Sequence, residues 1–295
     1  MKRYTIRDFQ RDFPNDPTCL EWLKDYRWPG GISCEKCERI TKHHLMSSRR
    51  SFSCQECGHH VHPTSGTIFH KSATPLTLWF YTVYLMAQTR GGISAKQIER
   101  ETGVTYKTAW RMCKLIRESL DEGADPLSGK VEVDESYFGG KRPGKRGRGA
   151  AGKTPVVGLA QRKGRLKAVV VPDTKARTML PIIKDSVEAG TIVYTDENWA
   201  YNRLNKLGFN HSSITHSAKI YVSGDVHTNT IEGFWSLIKR VISGVYHHVG
   251  PEYLQRYVNE YVFRYNHRND EQPMFMSFLN QVGRSLSWIQ SPINR

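Results

Sequence analysis

From Thr74 to Leu120 apolar residues recur at helical spacing, and glycine interrupts the pattern twice. Pro75 fits a first-turn position ahead of LTLWFYTVYLMAQ, a strongly apolar helix that Gly91-Gly92 ends. ISAKQIERETGVTYKTAWRMCKLIRESL then reads as a short helix, a turn through Gly103, and a longer helix opened by Thr105 as N-cap. Two helices joined by a short glycine-containing turn make a helix-turn-helix, whose second helix enters the major groove of DNA. Ala95, Ile98, Val104 and Trp110 are the predicted packing positions. Tyr106, Lys107 and Arg111 lie near the N-terminal end of the second helix, where base contacts are made. An ordinary helical hairpin covering the next domain is the competing reading.

Beyond the Gly-Asp-Pro break EGADPLSG the period changes to two. KVEVDESYFGG, TPVVGLAQR and RLKAVVVPD read as three strands, with Lys163-Gly164 at the turn between the last two. A helix from about Ala176 to Glu188 follows, then the strand TIVYTD, a short helix, a short strand near HSSIT, and a long helix from about Asn229. GPEYLQRYVNEYVFRYNHR has helical spacing and reads as a covering helix of the same domain. Three hairpin-like strands followed by alternating helices and strands is the order of an α/β, ribonuclease H-like fold. The predicted domains are a small module over 1–72, a helical region over 73–126, and a catalytic domain over 127–295.

The chain has 295 residues, 38% hydrophobic and 11% aromatic, which suits a globular protein with a large core. No apolar run approaches the roughly 18 residues of a membrane span. MKRYTIRDFQRDFPND lacks the apolar stretch of a signal peptide, so a cytoplasmic, nucleoid-associated location is expected. Lys and Arg total 43 against 28 Asp and Glu, a net charge of +15. That surplus favours a polyanionic partner, and without a basic amphipathic helix or lipidation motif nucleic acid is preferred over a membrane surface.

Four of the six cysteines fall into Cys34-x2-Cys37 and Cys54-x2-Cys57, sixteen residues apart. Two knuckles joined by a hairpin-sized spacer place four thiolates around structural Zn²⁺, and a cytosolic chain keeps them reduced. Cys19 and Cys113 are expected as buried apolar residues, and His43, His44, His59, His60 and His62 as surface or DNA-facing residues. Lys42, Arg49 and Arg50 make the intervening hairpin basic; gripping nucleic acid and a purely structural role are equally open.

Three acids stand out: Asp134 in VEVDESYFGG and Asp196 in IVYTDENWAY, each ending or interrupting an apolar run, and Glu232 on the helical segment HTNTIEGFWSLIKR, with 35 residues between Asp196 and Glu232. Taken singly, each is more often a solvated residue. Converging carboxylates suit hard divalent cations such as Mg²⁺, and two such ions about 3.5–4 Å apart serve phosphodiester chemistry. Glu132, Glu135 and Glu197 are the neighbouring acids judged not to be ligands, Glu132 sharing a strand face with Asp134. Lys239 follows Glu232 by two helical turns. The loop GGKRPGKRGRGAAGK carries Lys141, Arg142, Lys145, Arg146, Arg148 and Lys153 without an acid, suited to a DNA backbone. Tyr137, Trp199 and Trp235 lie near the acids, where core packing is their commoner fate and base stacking the alternative.

The blocks VDESYFGGKR, YTDENWAYNRL and HTNTIEGFWSLIKR, behind a four-cysteine ribbon, resemble those of bacterial insertion-sequence transposases with an N-terminal zinc ribbon and an ISXO-like catalytic domain. The resemblance runs from about Asp16 to Asn280. It implies a DDE transposase that binds its element's ends, cleaves their 3′ ends and joins them to target DNA with Mg²⁺ or Mn²⁺. A homo-oligomer on double-stranded DNA is implied as well. Asp134 is then expected to bridge two ions, Asp196 to bind one and Glu232 the other, with Lys239 on a phosphate. Members of the group carry either Glu or Asn at the third metal position. Here Asn229 and Glu232 share one helical face; Glu232 is preferred because an anion holds Mg²⁺ better than an amide, with Asn229 as helper. A nuclease on the same fold and a DNA-binding regulator that has lost its chemistry are the alternatives.

Overall fold

The computed structural model describes residues 3–46, 49–123, 125–140, 152–214 and 227–284. These fold as two compact units, one of residues 1–120 with 269–295 and one of 121–268. The stretch 127–295, expected as one domain, therefore divides: its last segment folds with the first unit.

In the first unit α1 (Ile6–Asp12) is closed by a Thr5–Asp8 capping box, and α2 (Asp16–Arg27) is capped by Asn15. A cysteine-bearing ribbon follows. It has a hairpin of β1 (Ser33–Cys34) and β2 (Arg39–Ile40) and a three-stranded antiparallel sheet of β3 (His43–Met46), β4 (Ser51–Cys54) and β5 (His60–Val61). The apolar segment forms α3 (Leu76–Gln88), opened by Pro75, whose missing side-chain cap is supplied by Asp16. Its carboxylate accepts from the Leu76 and Thr77 amides at 3.0 and 2.9 Å and from Arg50 Nη2 at 3.1 Å. Arg50 also donates to Ser72 O, so it staples the ribbon to the helices.

α4 (Ala95–Thr102) and α5 (Tyr106–Ser119) follow, with Gly103 left-handed at the turn (φ 70°) and Ser94 and Thr105 as N-caps. Ile98 is buried as expected, whereas Ala95, Val104 and Trp110 are only half-buried; α5 packs through Ala109, Met112, Cys113 and Ile116. The packing stripe thus begins one residue earlier than predicted. α9 (Met274–Gly283) completes the unit by burying Phe275, Phe278, Leu279 and Val282. Phe275 stacks on Tyr4 (4.8 Å) and meets Phe9 and Phe13 edge-on (5.9 Å each). Each buried ring contributes on the order of 2–3 kcal/mol.

The second unit is built on a five-stranded sheet in the order β10-β9-β6-β7-β8. Strands β6 (Lys130–Phe138), β7 (Thr154–Gln161) and β8 (Leu166–Val170) form an antiparallel meander. β9 (Ile192–Asp196) joins β6 in parallel, and β10 (Asn210–Ile214) joins β9 in parallel. Alternation divides the sheet's two faces. Val131, Val133, Val157 and Leu159 pack with Met179 and Ile183 of α6 (Ala176–Ser186), which ends two residues before the predicted boundary. Val156, Ala160 and Ala168 pack with α7 (Asn229–Val241) and with α8 (Pro251–Asn266), the predicted covering helix. Gln255 and Asn266 of α8 bond the free backbone groups of the edge strand β8: Val170 N donates to Gln255 Oε1 at 2.7 Å, and Leu166 N to Asn266 Oδ1 at 2.8 Å. An edge closed in this way cannot recruit a further strand.

Candidate active site

The last Cα pair of the parallel β6–β9 ladder is Glu132–Tyr194. Two residues further along each strand stand Asp134 and Asp196, so strand register alone places them side by side. Carboxylate oxygens of Asp134, Glu135 and Asp196 lie within 4.8 Å of one another. Glu135, set aside in the sequence reading, joins the group because Tyr201 Oη donates to its Oε2 (2.8 Å) and Asn198 Nδ2 to its Oε1 (3.3 Å). Asn198 N donates in turn to Asp196 Oδ1 (3.0 Å), which ties the two acids through one residue. Tyr201 is fully buried, and its phenol pKa is raised by burial and by the neighbouring carboxylates, so it remains a donor.

Opposite Asp134 in the register is Gly158. A Cβ there would meet Trp235 at 2.5 Å and Ile231 at 2.6 Å. The space left by the missing side chain is filled by the Trp235 indole, whose Nε1 donates to Asp134 Oδ2 at 3.1 Å. Trp235 is accordingly a core residue with a polar task. Burial first, then the charges of Glu135, Asp196 and Glu232, push the Asp134 carboxyl up to about 7, against the Glu135 amide that lowers it. Such crowding is what an oxygen-ligated cation relieves. The donor set, carboxylates alone, fits Mg²⁺ or Mn²⁺ better than a softer metal.

Glu232 lies in the first turn of α7, exposed, with its Oε1 accepting from the Thr228 hydroxyl at 2.7 Å. It stands outside the three-carboxylate group, although its charge is felt at Asp134. Asn229 is exposed at the first position of α7. Lys239 reaches the same surroundings: its ammonium lies over the Phe138 ring at 5.9 Å. Burial lowers its pKa, Asp134 opposes that and Lys153 adds to it. Lys141, Arg142, Lys145, Arg146 and Arg148 lie outside the described residues.

Glu132 has a part that the sequence reading did not give it. Fully buried, it accepts from Arg162 Nε (2.8 Å), the Thr230 hydroxyl (2.9 Å), and the Thr230 and Ile231 amides (2.7 and 3.1 Å). A strand carboxylate thus caps the N-terminus of α7 and fixes the helix that carries Glu232, Trp235 and Lys239. The available signal was a carboxylate between two valines of an apolar strand, a position that needs a partner.

The second cluster is Cys34, Cys37, Cys54 and Cys57, with all four sulfurs within 4.8 Å of one another. Cys34–Cys57 and Cys37–Cys54 Sγ distances are 3.5 and 4.0 Å. They bracket the edge of about 3.8 Å that four Zn–S bonds of about 2.3 Å require, so the residues fit a tetrahedral zinc. The Thr41 hydroxyl, with the Cys57 and Glu56 amides, lowers the Cys54 thiol pKa, while the crowded neighbouring thiols raise that of Cys37, so one proton is held more loosely than another within the cluster. Cys19 and Cys113 are buried elsewhere in the unit, as expected. Tyr106, Lys107 and Arg111 project, exposed, from the first turns of α5.

Residues 126–266 match the ISXO2-like transposase domain, and residues 14–60 match the transposase zinc-ribbon domain. An uncharacterized protein in transposable element ISH50 of Halobacterium salinarum is 31% identical over 254 residues, which cover 79% of this chain and 85% of that protein. The chain belongs to the ISXO2-like transposase family. An uncharacterized transposase-like protein of Haemophilus influenzae is 32% identical over 120 residues, 41% of this chain and 94% of its own. Among solved structures, a pre-cleavage Mos1 transpososome is 11% identical over 70% of this chain and 80% of its own, at a TM-score of 0.27. A simian T-cell lymphotropic virus intasome in complex with PP2A regulatory subunit B56 gamma is 12% identical over 68% and 64%, also at 0.27. Scores of this size do not define a shared fold. Among the described residues of this family member, no helix is long and apolar enough to cross a membrane.

Proposed function

We propose that this chain is a DDE-type DNA transposase that binds the ends of its insertion sequence, cleaves their 3′ ends and transfers them to target DNA. The observation that carries this reading is the side-by-side placement of Asp134 and Asp196 on adjacent parallel strands, within a family of transposases. The sheet order, an antiparallel meander extended by two parallel strands, supports a ribonuclease H-like assignment for the second unit. Asp134 and Asp196 hold the catalytic cations, with Glu135 or Glu232 completing the set. Bound there, Mg²⁺ or Mn²⁺ supplies Lewis-acid activation of the oxygen nucleophile.

The remaining work falls to the chain itself. Trp235 orients Asp134, Glu132 fixes α7, and Lys239 with Lys153 offers positive charge to a phosphate. The cysteine cluster holds structural zinc. α4 and α5 act as a helix-turn-helix with Tyr106, Lys107 and Arg111 on DNA, and the basic segment of Lys141, Arg142, Lys145, Arg146 and Arg148 grips the backbone without reading sequence. Bridging two DNA ends calls for a homo-oligomer at the bacterial nucleoid.

The test is an Mg²⁺-dependent reaction of purified protein on a duplex carrying the element's terminal repeats. Joined product is expected, and D134N and D196N abolish both cleavage and joining. Nicks without joining point to a nuclease, and a gel shift without nicks to a DNA-binding regulator. Glu135→Gln and Glu232→Gln, run side by side, identify the third ligand as the one whose loss also abolishes cleavage.

A further inference from the structure

Trp199 is 67% exposed, the most open of the large apolar side chains among the described residues, on a short 3₁₀ turn (Trp199–Tyr201) three positions after Asp196. Its neighbours are the opposite: Asn198 is 4% exposed, Ala200 1% and Tyr201 0%. The turn is pinned to the acids. Asn198 bonds Asp196 and Glu135, its side-chain oxygen accepts from Ala200 N (3.0 Å), and the Tyr201 hydroxyl bonds Glu135. A rigid support buried on both sides therefore holds an indole out in water, beside carboxylates suited to phosphodiester chemistry. The backbone that presents the ring is thus fixed by the same bonds that hold Glu135 and Asp196 in place.

The complement of an indole face is another flat apolar π-face, which a phosphate or sugar lacks and every nucleobase has. Inside a duplex that face is covered by the neighbouring bases, so the occupant is a base freed from its stack. We propose that Trp199 is a stacking platform for an unpaired base of the DNA strand whose phosphodiester sits at Asp134 and Asp196. The proposal rests on the transposase reading of that site and adds to it a sequence-tolerant contact on the base.

Fluorescence anisotropy separates the possibilities with two labelled single strands of equal charge, an oligothymidylate of about 12 nucleotides and an abasic strand of the same length. Wild-type protein is expected to bind the oligothymidylate more tightly than the abasic strand. Trp199→Ala should weaken the first by about 5- to 150-fold, the ratio that stacking of 1–3 kcal/mol per base gives, and leave the second unchanged. Trp199→Phe should keep most of the difference. Equal affinity of wild type for both strands, or an unchanged ratio in Trp199→Ala, overturns the platform and leaves the transposase reading standing. Failure of wild type to bind either strand overturns the platform too, and the transposase reading then stands or falls on the duplex reaction alone. Light scattering is run on the same samples: a Trp199→Ala protein that becomes monomeric while keeping its base preference places the indole between copies of the chain instead.

Discussion

Glu132, Gly158 and Trp199 each owe their part to what surrounds them rather than to what they are. The Glu132 carboxylate is fully buried and bonded by Arg162 and the first amides of α7. Glu132→Ala removes the acceptor of Arg162 Nε and of both amides, and should destabilise the second unit by on the order of 3–5 kcal/mol in urea unfolding. Glu132→Gln, which keeps one acceptor oxygen, should cost less. Asp134 was legible in the sequence because it interrupts the apolar alternation of VEVDES, and Asp196 because it ends an apolar run. Glu135 was not, since its place depends on Tyr201 and Asn198, both more than 60 residues away. Exposure of Trp199 was equally hidden: composition puts a tryptophan in the core, and only the pinned 3₁₀ turn keeps this one out.

At the scale of elements, the cysteine ribbon and the two-helix turn were readable because their signals are local. Ligand spacing, capping residues and a left-handed glycine act within a few positions of one another. Partnerships across elements were not readable, and α3 shows why. Its N-terminus is capped by Asp16 from another helix, 60 residues earlier in the chain. Burial alone would raise the Asp16 pKa, but the Thr77 and Leu76 amides, the Thr77 hydroxyl and the Arg50 charge outweigh it and hold it below the usual value. Because the folded-state pKa is the lower one, this stabilisation is present above the unfolded carboxylate range and is lost as pH falls through the folded value. The difference in unfolding free energy between wild type and Asp16→Asn should therefore be flat from about pH 5 to 8 and shrink below about pH 4. Zinc gives the second prediction at this scale. The protein should contain one zinc per chain, and a strong chelator or Cys37→Ala should melt the ribbon, read as new proteolytic cleavage between residues 30 and 62.

For the whole molecule, the division into units did not follow the sequence boundaries, because periodicity announces a helix without naming its partner. α9 carries Phe275, Phe278, Leu279 and Val282, which would read equally well as a lid on the sheet, yet they complete the helical unit. Burial of these four contributes about 6–12 kcal/mol, as much as a whole domain's net stability of about 5–15 kcal/mol. Ending the chain after Arg268 should therefore unfold α1–α5 while leaving the sheet-bearing unit intact, as seen by limited proteolysis with mass mapping.

That same return of the chain sets an order of assembly on the ribosome. The apolar face of α3 is synthesised early but must wait for Phe275, nearly 190 residues later in the chain. At elongation rates of about 5–20 residues per second, that interval lasts roughly 10–40 s. Residues 121–268 emerge whole within it, so the sheet-bearing unit can finish folding first. The N-terminal segments, first to be translated, are the last to close.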